Sequence, residues 1–223
     1  MKAHQGYVSS VTVDIAVFTI KDGALSVLLI ERALPPYAKH HALPGGFLLS
    51  QETAKEAADR ILKDKAGVKD IYIEQLYTFD AIRRDPRGRI ISITFYALVN
   101  ESSILVKEGK NTESPQWCRV TSLPKLAFDH KDIITYAHKR IRSKLEYTNA
   151  AYALLPKTFT LGQLQEVYEA IFQKKIDKRN FIKKFLSLKI IRPTKKVLSG
   201  LRQRPARLYE FISHKPTELK KFF

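Results

Sequence analysis

Gly46-Phe47-Leu48-Leu49-Ser50-Gln51-Glu52 leads into Thr53-Ala54-Lys55-Glu56-Ala57-Ala58-Asp59-Arg60-Ile61-Leu62-Lys63-Asp64-Lys65-Ala66-Gly67-Val68, a glycine-headed loop followed by a helical stretch. Thr53 with Glu56 three residues later is a capping box that opens the helix, and Gly67 suits its end. Ala54, Ala57, Ala58, Ile61 and Leu62 recur at helical spacing, so one side of this helix packs on other structure. Positions 61, 64 and 65 stand in an i, i+3, i+4 relation and share a face.

This stretch resembles the Nudix box: Gly, five residues, Glu, seven residues, Arg-Glu, a hydrophobic residue, any residue, Glu-Glu, any residue, Gly, hydrophobic. Gly46, Glu52, Arg60, Leu62, Gly67 and Val68 fall in register. The departures are Ile61, Asp64 and Lys65, where the family's metal-binding glutamates would stand. In active members that face gathers carboxylates around Mg²⁺, a hard cation that takes oxygen ligands and bridges phosphates. Isoleucine offers no ligand, and Lys65 places a positive charge where the metal's own charge would lie. The resemblance therefore implies a Nudix fold without hydrolysis: no catalytic residue, no metal and no cofactor are expected. A competing reading keeps weak Mg²⁺-dependent pyrophosphatase chemistry through Glu52, Asp59 and Asp64.

Charge divides the chain. Residues 1–146 carry 22 Lys+Arg against 17 Asp+Glu, a net of +5, whereas 147–223 carry 17 against 5, a net of +12 within the total of +17. Two domains with that boundary are expected, the second facing a polyanion, either nucleic acid or an anionic membrane. Cys118 is the single cysteine, so no internal disulfide forms, as suits a reducing compartment. No apolar run approaches the roughly 20 residues that span a bilayer, and the N-terminus lacks a signal-peptide core, so a cytoplasmic protein is expected.

The first part reads as α/β. Ser10 to Ile20, Leu25 to Glu31, Ile71 to Phe79 and Ile90 to Val99 are strand-like, Gln116 to Val120 is a short strand, and Phe128 to Leu145 has helical spacing. The stretch from Asn100 to Pro115 reads as a polar, mobile loop. This order suits the α+β sandwich of helices around a mixed sheet that the Nudix resemblance implies.

Arg83-Arg84-Asp85-Pro86-Arg87-Gly88-Arg89 is a turn bearing planar donors suited to phosphate or carboxylate. Glu74 to Phe79, this turn, Ser92 to Leu98 and Leu126-Ala127-Phe128-Asp129-His130 are similar to Nudix proteins that handle ADP-ribose. The resemblance implies an effector site that includes Arg32, Gly45, Gly46, Phe47, Arg60, Lys65, Arg83, Arg84, Arg87, Arg89, Phe128 and His130. Gly45 and Gly46 would let the backbone approach the ligand, and arginines would meet its pyrophosphate.

In the basic part, Thr160-Leu161-Gly162-Gln163 is a capping box, and Leu161, Leu164, Val167, Tyr168, Ile171 and Phe172 line one helix face. Asp177 caps a second helix running to about Leu188, with Phe181, Ile182, Phe185, Leu186 and Leu188 on one side. Arg179, Asn180, Lys183, Lys184 and Ser187 occupy the other. This is a helix-turn-helix pattern whose second helix can enter a major groove: Lys178, Arg179 and Asn180 would lead, with Arg179 and Asn180 suited to base edges and the lysines to phosphates. Lys189 to Arg192 and Ala206 to Ile212 read as paired strands around Lys195, Lys196, Arg202 and Arg204. With Arg207 they make a basic wing.

Taken together these motifs resemble, over nearly the full length, the Nudix-related transcriptional regulators of NAD metabolism. The resemblance implies a homodimeric repressor that binds palindromic double-stranded operator DNA and is released by ADP-ribose. Related members respond to sugars, and a nucleic-acid adaptor with a purely structural Nudix fold is a further alternative.

Overall fold

Strand β1 (Ser10–Lys21) is the hub of the sheet, because its apolar run is buried on both faces. A computed structural model of the chain describes residues 10–66, 71–103, 112–198 and 206–219, without the side chains of 65, 66, 103 and 112–114. On one face of β1, Val13, Ile15 and Val17 pack against Ala57, Ala58, Ile61 and Leu62 of α1 (Ala54–Ala66). On the other, Ala16 and Phe18 pack against Ile133, Ile134, Ala137, Ile141 and Leu145 of α2 (His130–Tyr147). In sequence, Val11, Val13, Ile15 and Val17 alternate like a strand. A central strand covered by helices on both sides needs apolar even positions too.

Around β1 lie β2 (Ala24–Arg32), β3 (His41–Ala42), β4 (Gly45–Phe47), β5 (Tyr72–Phe79), β6 (Ile90–Leu98) and β7 (Thr112–Arg119). The order is β3-β2-β1-β6-β5, with β4 paired to β1 and β7 to β2. The β1–β6 pairing is parallel, from Ser10↔Ile90 to Phe18↔Leu98, and the other pairings are antiparallel. The sheet is therefore mixed, as expected. β7 begins at Thr112, inside the stretch expected to be loop, and follows β2 across a register shift between Leu29 and Glu31. Residues 104–111 of that stretch lie outside the described residues. The short β3 and β4 carry no alternation signal, and their pairing with β2 and β1 is what brings Gly45 and Gly46 beside Asp14 and Val13.

The capping box of α1 forms as the sequence implies: the Thr53 amide donates to Glu56 Oε2 at 2.7 Å, and the Glu56 amide donates to Thr53 Oγ1 at 3.2 Å. α2 starts two residues later than expected, because Phe128 takes a left-handed φ of 52° and breaks the helical path before His130.

The second part is a winged helix. Thr160 and Gln163 cap α3 (Leu161–Phe172) reciprocally, and Gln173 leaves it in the left-handed region. Asp177 accepts from the Asn180 amide at the start of α4 (Lys178–Ser187). β8 (Ile191–Leu198) and β9 (Ala206–Phe211) form the wing, and Phe159 exchanges two backbone hydrogen bonds with Tyr209. Phe159, Tyr168, Phe181, Phe185 and Phe211 form its aromatic core.

That core is continuous with the layer between the sheet and α2. The joint is buried: Thr148 and Asn149 are each 2 % exposed. Asn149 Nδ2 donates to the carbonyls of Ser213 and Lys215, its Oδ1 accepts from the Thr217 amide at 2.7 Å, and the Leu219 amide donates to the Tyr147 carbonyl. The chain's return segment thus straps the end of α2. His138 Nε2 lies 2.8 Å from the Ile171 carbonyl, joining α2 to α3.

Candidate functional site

The loops at one end of the sheet enclose a narrow cleft of about 160 Å³ that opens to solvent at its mouth. Of the residues expected from sequence, Arg32, Gly45, Gly46, Phe47, Arg84, Arg87, Phe128 and His130 line it. Thr12, Asp14, Ile30, Ala42, Leu43 and Asp85 complete the wall. The informative miss is Asp14. A lone carboxylate among Val13, Ile15 and Val17 in a strand is an anomaly, and such anomalies mark sites.

Phe128 organises the mouth. The Arg32 guanidinium lies 4.9 Å from its ring centre and that of Arg87 5.4 Å. Arg87 also lies 5.3 Å from the ring of Phe47, and Tyr37 meets Phe128 edge-on at 4.9 Å. Left-handed backbone at a bulky residue is strained and persists where surrounding structure over-determines it. Here two cations and an aromatic ring hold Phe128. Arg32 is oriented by the carbonyls of Pro36 and Leu34 through Nε and Nη2. Arg87 is oriented by Asp85, which accepts from Nε at 2.9 Å and Nη2 at 2.6 Å. Among the described residues, these bonds leave one terminal nitrogen of each guanidinium for a ligand. Burial and the neighbouring Arg87 lower the Arg32 pKa, a penalty that a bound anion would relieve. Burial pushes the Asp85 carboxyl up, but its bonds from Arg87 prevail and hold it below the ordinary range.

Arg84 differs from the other arginines of the turn. Its side chain is 3 % exposed and forks onto Asp129, with Nε to Oδ2 at 2.8 Å and Nη2 to Oδ1 at 2.7 Å. Asp14 Oδ2 is 3.7 Å away. Arg84 is thus an internal strut between the β5–β6 turn and the start of α2. His130 is buried beside it: Nδ1 accepts from the Leu43 amide at 2.9 Å, and Nε2 faces Asp14 Oδ1 at 3.8 Å. Burial lowers the His130 pKa, outweighing the opposing pull of Asp14 and Asp129.

The remaining expected residues lie elsewhere. Arg60 donates to both oxygens of Glu52, at 2.9 and 2.6 Å, and to the Phe47 carbonyl, so it braces the box loop. That pairing with Arg60 brings the Glu52 pKa down to about 2. Arg89 donates to the Asp80 carbonyl, and Arg83 is exposed away from the cleft. The side chain of Lys65, with Gly67 and Val68, lies outside the described residues. Of the box acids, Glu52 is held by Arg60, Glu56 by Thr53 and Asp59 by Lys55, while Asp64 is exposed on α1. Ile61 is 1 % exposed within the α1 core, so the position of a family glutamate is packed apolar surface.

The second candidate surface is the winged helix. Lys178, Arg179, Asn180, Lys183 and Lys184 are all exposed on α4, while Phe181 and Phe185 are buried. Leu186, expected on the inner side, is 41 % exposed. Lys195 and Lys196 belong to β8, which runs further than the strand read from sequence, across a register irregularity between Pro193 and Val197. Arg207 is exposed on β9, and Arg202 and Arg204 lie outside the described residues. Exposed cations on the second helix and on both wing strands form a basic face.

The chain matches the NUDIX domain family over residues 9–137 and the NrtR DNA-binding winged helix domain family over residues 151–211. It is 34% identical over 205 residues to the ADPR responsive transcriptional repressor NtrR of Acinetobacter baylyi, covering 90% of this chain and 81% of that protein. The crystal structure of Shewanella oneidensis NrtR complexed with a 27mer DNA superposes with a TM-score of 0.81 at 31% identity, covering 90% of this chain and 93% of the other. The NUDIX domain of the same protein, complexed with ADP ribose, aligns at 30% identity and a TM-score of 0.56 over 62% of this chain and 93% of that one. An ADP-ribose pyrophosphatase of Methanocaldococcus jannaschii is 38% identical over 108 residues, 48% of this chain and 63% of that enzyme.

Proposed function

The chain belongs to the NUDIX family in its NrtR form, a NUDIX domain joined to a DNA-binding winged helix, and on that premise we propose that it is a transcriptional repressor of NAD metabolism genes that ADP-ribose releases from operator DNA. The observation that carries this reading is one connected structure holding both halves of a switch: an arginine-flanked cleft and a basic recognition surface. The division at 146/147, the homodimer and the individual contact residues belong to the same proposal. A two-fold dimer would require half-sites about 10 bp apart or a multiple of that.

The route between the sites is α2. Its start borders the cleft: Asp129, just before the helix, holds Arg84, and His130 Nδ1 accepts from the Leu43 amide. Its middle meets α3 through His138 and Ile171, and its end is strapped by Asn149. A ligand that engages Arg32 and Arg87 around Phe128 moves the helix start, and a rigid helix passes that movement to the winged helix. If ADP-ribose prefers a dimer arrangement that does not fit DNA, it weakens DNA binding by the same factor by which DNA weakens ADP-ribose binding. A typical coupling of about 1–3 kcal/mol corresponds to roughly 5- to 150-fold.

The same geometry supports a non-hydrolytic role. Glu52, Glu56 and Asp59 are engaged by Arg60, Thr53 and Lys55, Ile61 is buried, and of the positions of the family's metal-binding glutamates only Asp64 keeps a carboxylate, which is exposed. A sensor that does not consume its signal reports concentration faithfully. Two measurements test the proposal. In gel-shift titrations against duplexes selected in vitro from random sequence, saturating ADP-ribose should dissociate the complex; an intact complex sinks the repressor mechanism. With Mg²⁺ or Mn²⁺, ADP-ribose hydrolysis should stay far below an ordinary turnover of about 1 s⁻¹. Turnover at that rate would instead favour the pyrophosphatase reading.

A further inference from the structure

The carboxylates of the cleft differ in what they hold. Asp85 is engaged by Arg87 and Asp129 by Arg84. Asp14 shares its cation: Oδ2 accepts from Ser92 Oγ at 2.6 Å and lies 3.7 Å from Nη2 of Arg84, which is forked onto Asp129, while Oδ1 faces His130 at 3.8 Å. Because His130 Nδ1 accepts the Leu43 amide proton, the neutral ring carries its own proton on Nε2, facing Asp14 Oδ1. The floor of the cleft thus offers an acceptor and a donor 3.8 Å apart. Gly45 makes this placement possible, since a Cβ there would stand 2.0 Å from Asp14 Oδ1.

A sugar hydroxyl donates and accepts at once and can bridge such a pair, or two neighbouring hydroxyls can engage one member each. A terminal phosphoryl group has the opposite fit. At neutral pH it carries about −1.5 to −2 charges and would meet two carboxylates, Asp14 and Asp129, that share the single cation of Arg84 in a partly desolvated floor. The cations suited to phosphate, Arg32 and Arg87, flank Phe128 at the mouth. The cleft is therefore polarised along its depth, with anion binding outside and hydroxyl binding inside.

We propose that Asp14 and His130 form a sugar-hydroxyl subsite at the floor of the cleft, which holds the terminal ribose of ADP-ribose and rejects a nucleotide that ends in a phosphoryl group at that point. This rests on the reading of the cleft as an ADP-ribose site. Asp14 would be the residue that makes ADP-ribose, and not ADP, the signal.

The test is calorimetric titration of the full-length protein and of Asp14→Asn with ADP-ribose and with ADP. The parent should prefer ADP-ribose by roughly 10- to 100-fold, the worth of a hydrogen bond to a charged group. Asp14→Asn should weaken ADP-ribose by about tenfold or more while leaving ADP unchanged or tighter, so that the preference collapses. A merely structural role would weaken both ligands alike, and that outcome overturns the subsite. Equal affinities of the parent for the two ligands overturn it as well, and this comparison stands even if the variant fails to fold. ADP-ribose binding without preference leaves the repressor reading intact. No ADP-ribose binding at all removes both.

Discussion

Arg84→Met is the most informative perturbation of the internal architecture, because it separates an arginine that holds the fold from one that meets ligand. The guanidinium is 3 % exposed and forks onto Asp129, whose side chain is 15 % exposed, with Asp14 at 11 % close by. Methionine keeps comparable apolar volume but leaves these two carboxylates without their cation. Removing one partner of a buried pair costs about 3–5 kcal/mol, because the charge left behind is desolvated and uncompensated. For a chain of this size each kcal/mol lowers Tm by about 2–4 °C, so a drop of roughly 6–20 °C is expected in thermal unfolding followed by circular dichroism. The double variant Arg84→Met with Asp129→Leu removes the stranded charge and should recover a substantial part of the loss, since an apolar replacement of a buried pair is often neutral. A single variant that melts within about 2 °C of the parent, or a double variant no better than the single, would refute the strut.

Three further outcomes follow from the same geometry. Gly45→Ala places a Cβ 2.0 Å from Asp14 Oδ1 and should abolish measurable ADP-ribose binding, whereas Gly46→Ala meets the Ile61 side chain at an ordinary 3.7 Å and should bind within severalfold of the parent by calorimetry. On selected operator DNA, Arg179→Ala should cost about 1–3 kcal/mol and relax base preference, while Lys183→Ala should weaken all sequences alike and reduce the salt slope by about one unit; identical behaviour of both variants at several salt concentrations would displace α4 as the reading element. His130 and His138 have folded pKa values pushed below the ordinary 6.5 by burial, so the unfolded chain takes up their protons first, and stability should fall as pH drops below about 6.5. Urea unfolding across pH 7 to 5 should show that decline and a shallower one in His138→Gln; a slope unchanged by the substitution would assign it to other groups.

How much of this was legible in sequence depended on the range of the interaction. The apolar faces of α1, α3 and α4, the three N-terminal capping motifs and the principal strands are set by residues within a few positions of one another, so period and local chemistry report them. The missing glutamates at Ile61 and Lys65 are visible only against the Nudix box that the stretch resembles, and that resemblance implied a fold without hydrolysis; the surplus of cations after residue 146 is composition and pointed to a polyanionic partner. The fate of the arginines was not legible. Arg83, Arg84, Arg87 and Arg89 look equivalent in one short turn, yet one is exposed, one is a buried strut to Asp129, one faces the cleft over Phe128 and one binds the Asp80 carbonyl. Their partners come from positions up to 45 residues away, and a carboxylate's distance in space is decided by how strands pair and helices dock. Asp14 shows the same limit from the other side. The strand containing it was plain from its neighbours, but only the pairing of β1 with β4 and β6 and the docking of α2 put Gly45, Ser92 and His130 around its carboxylate and made a site of it.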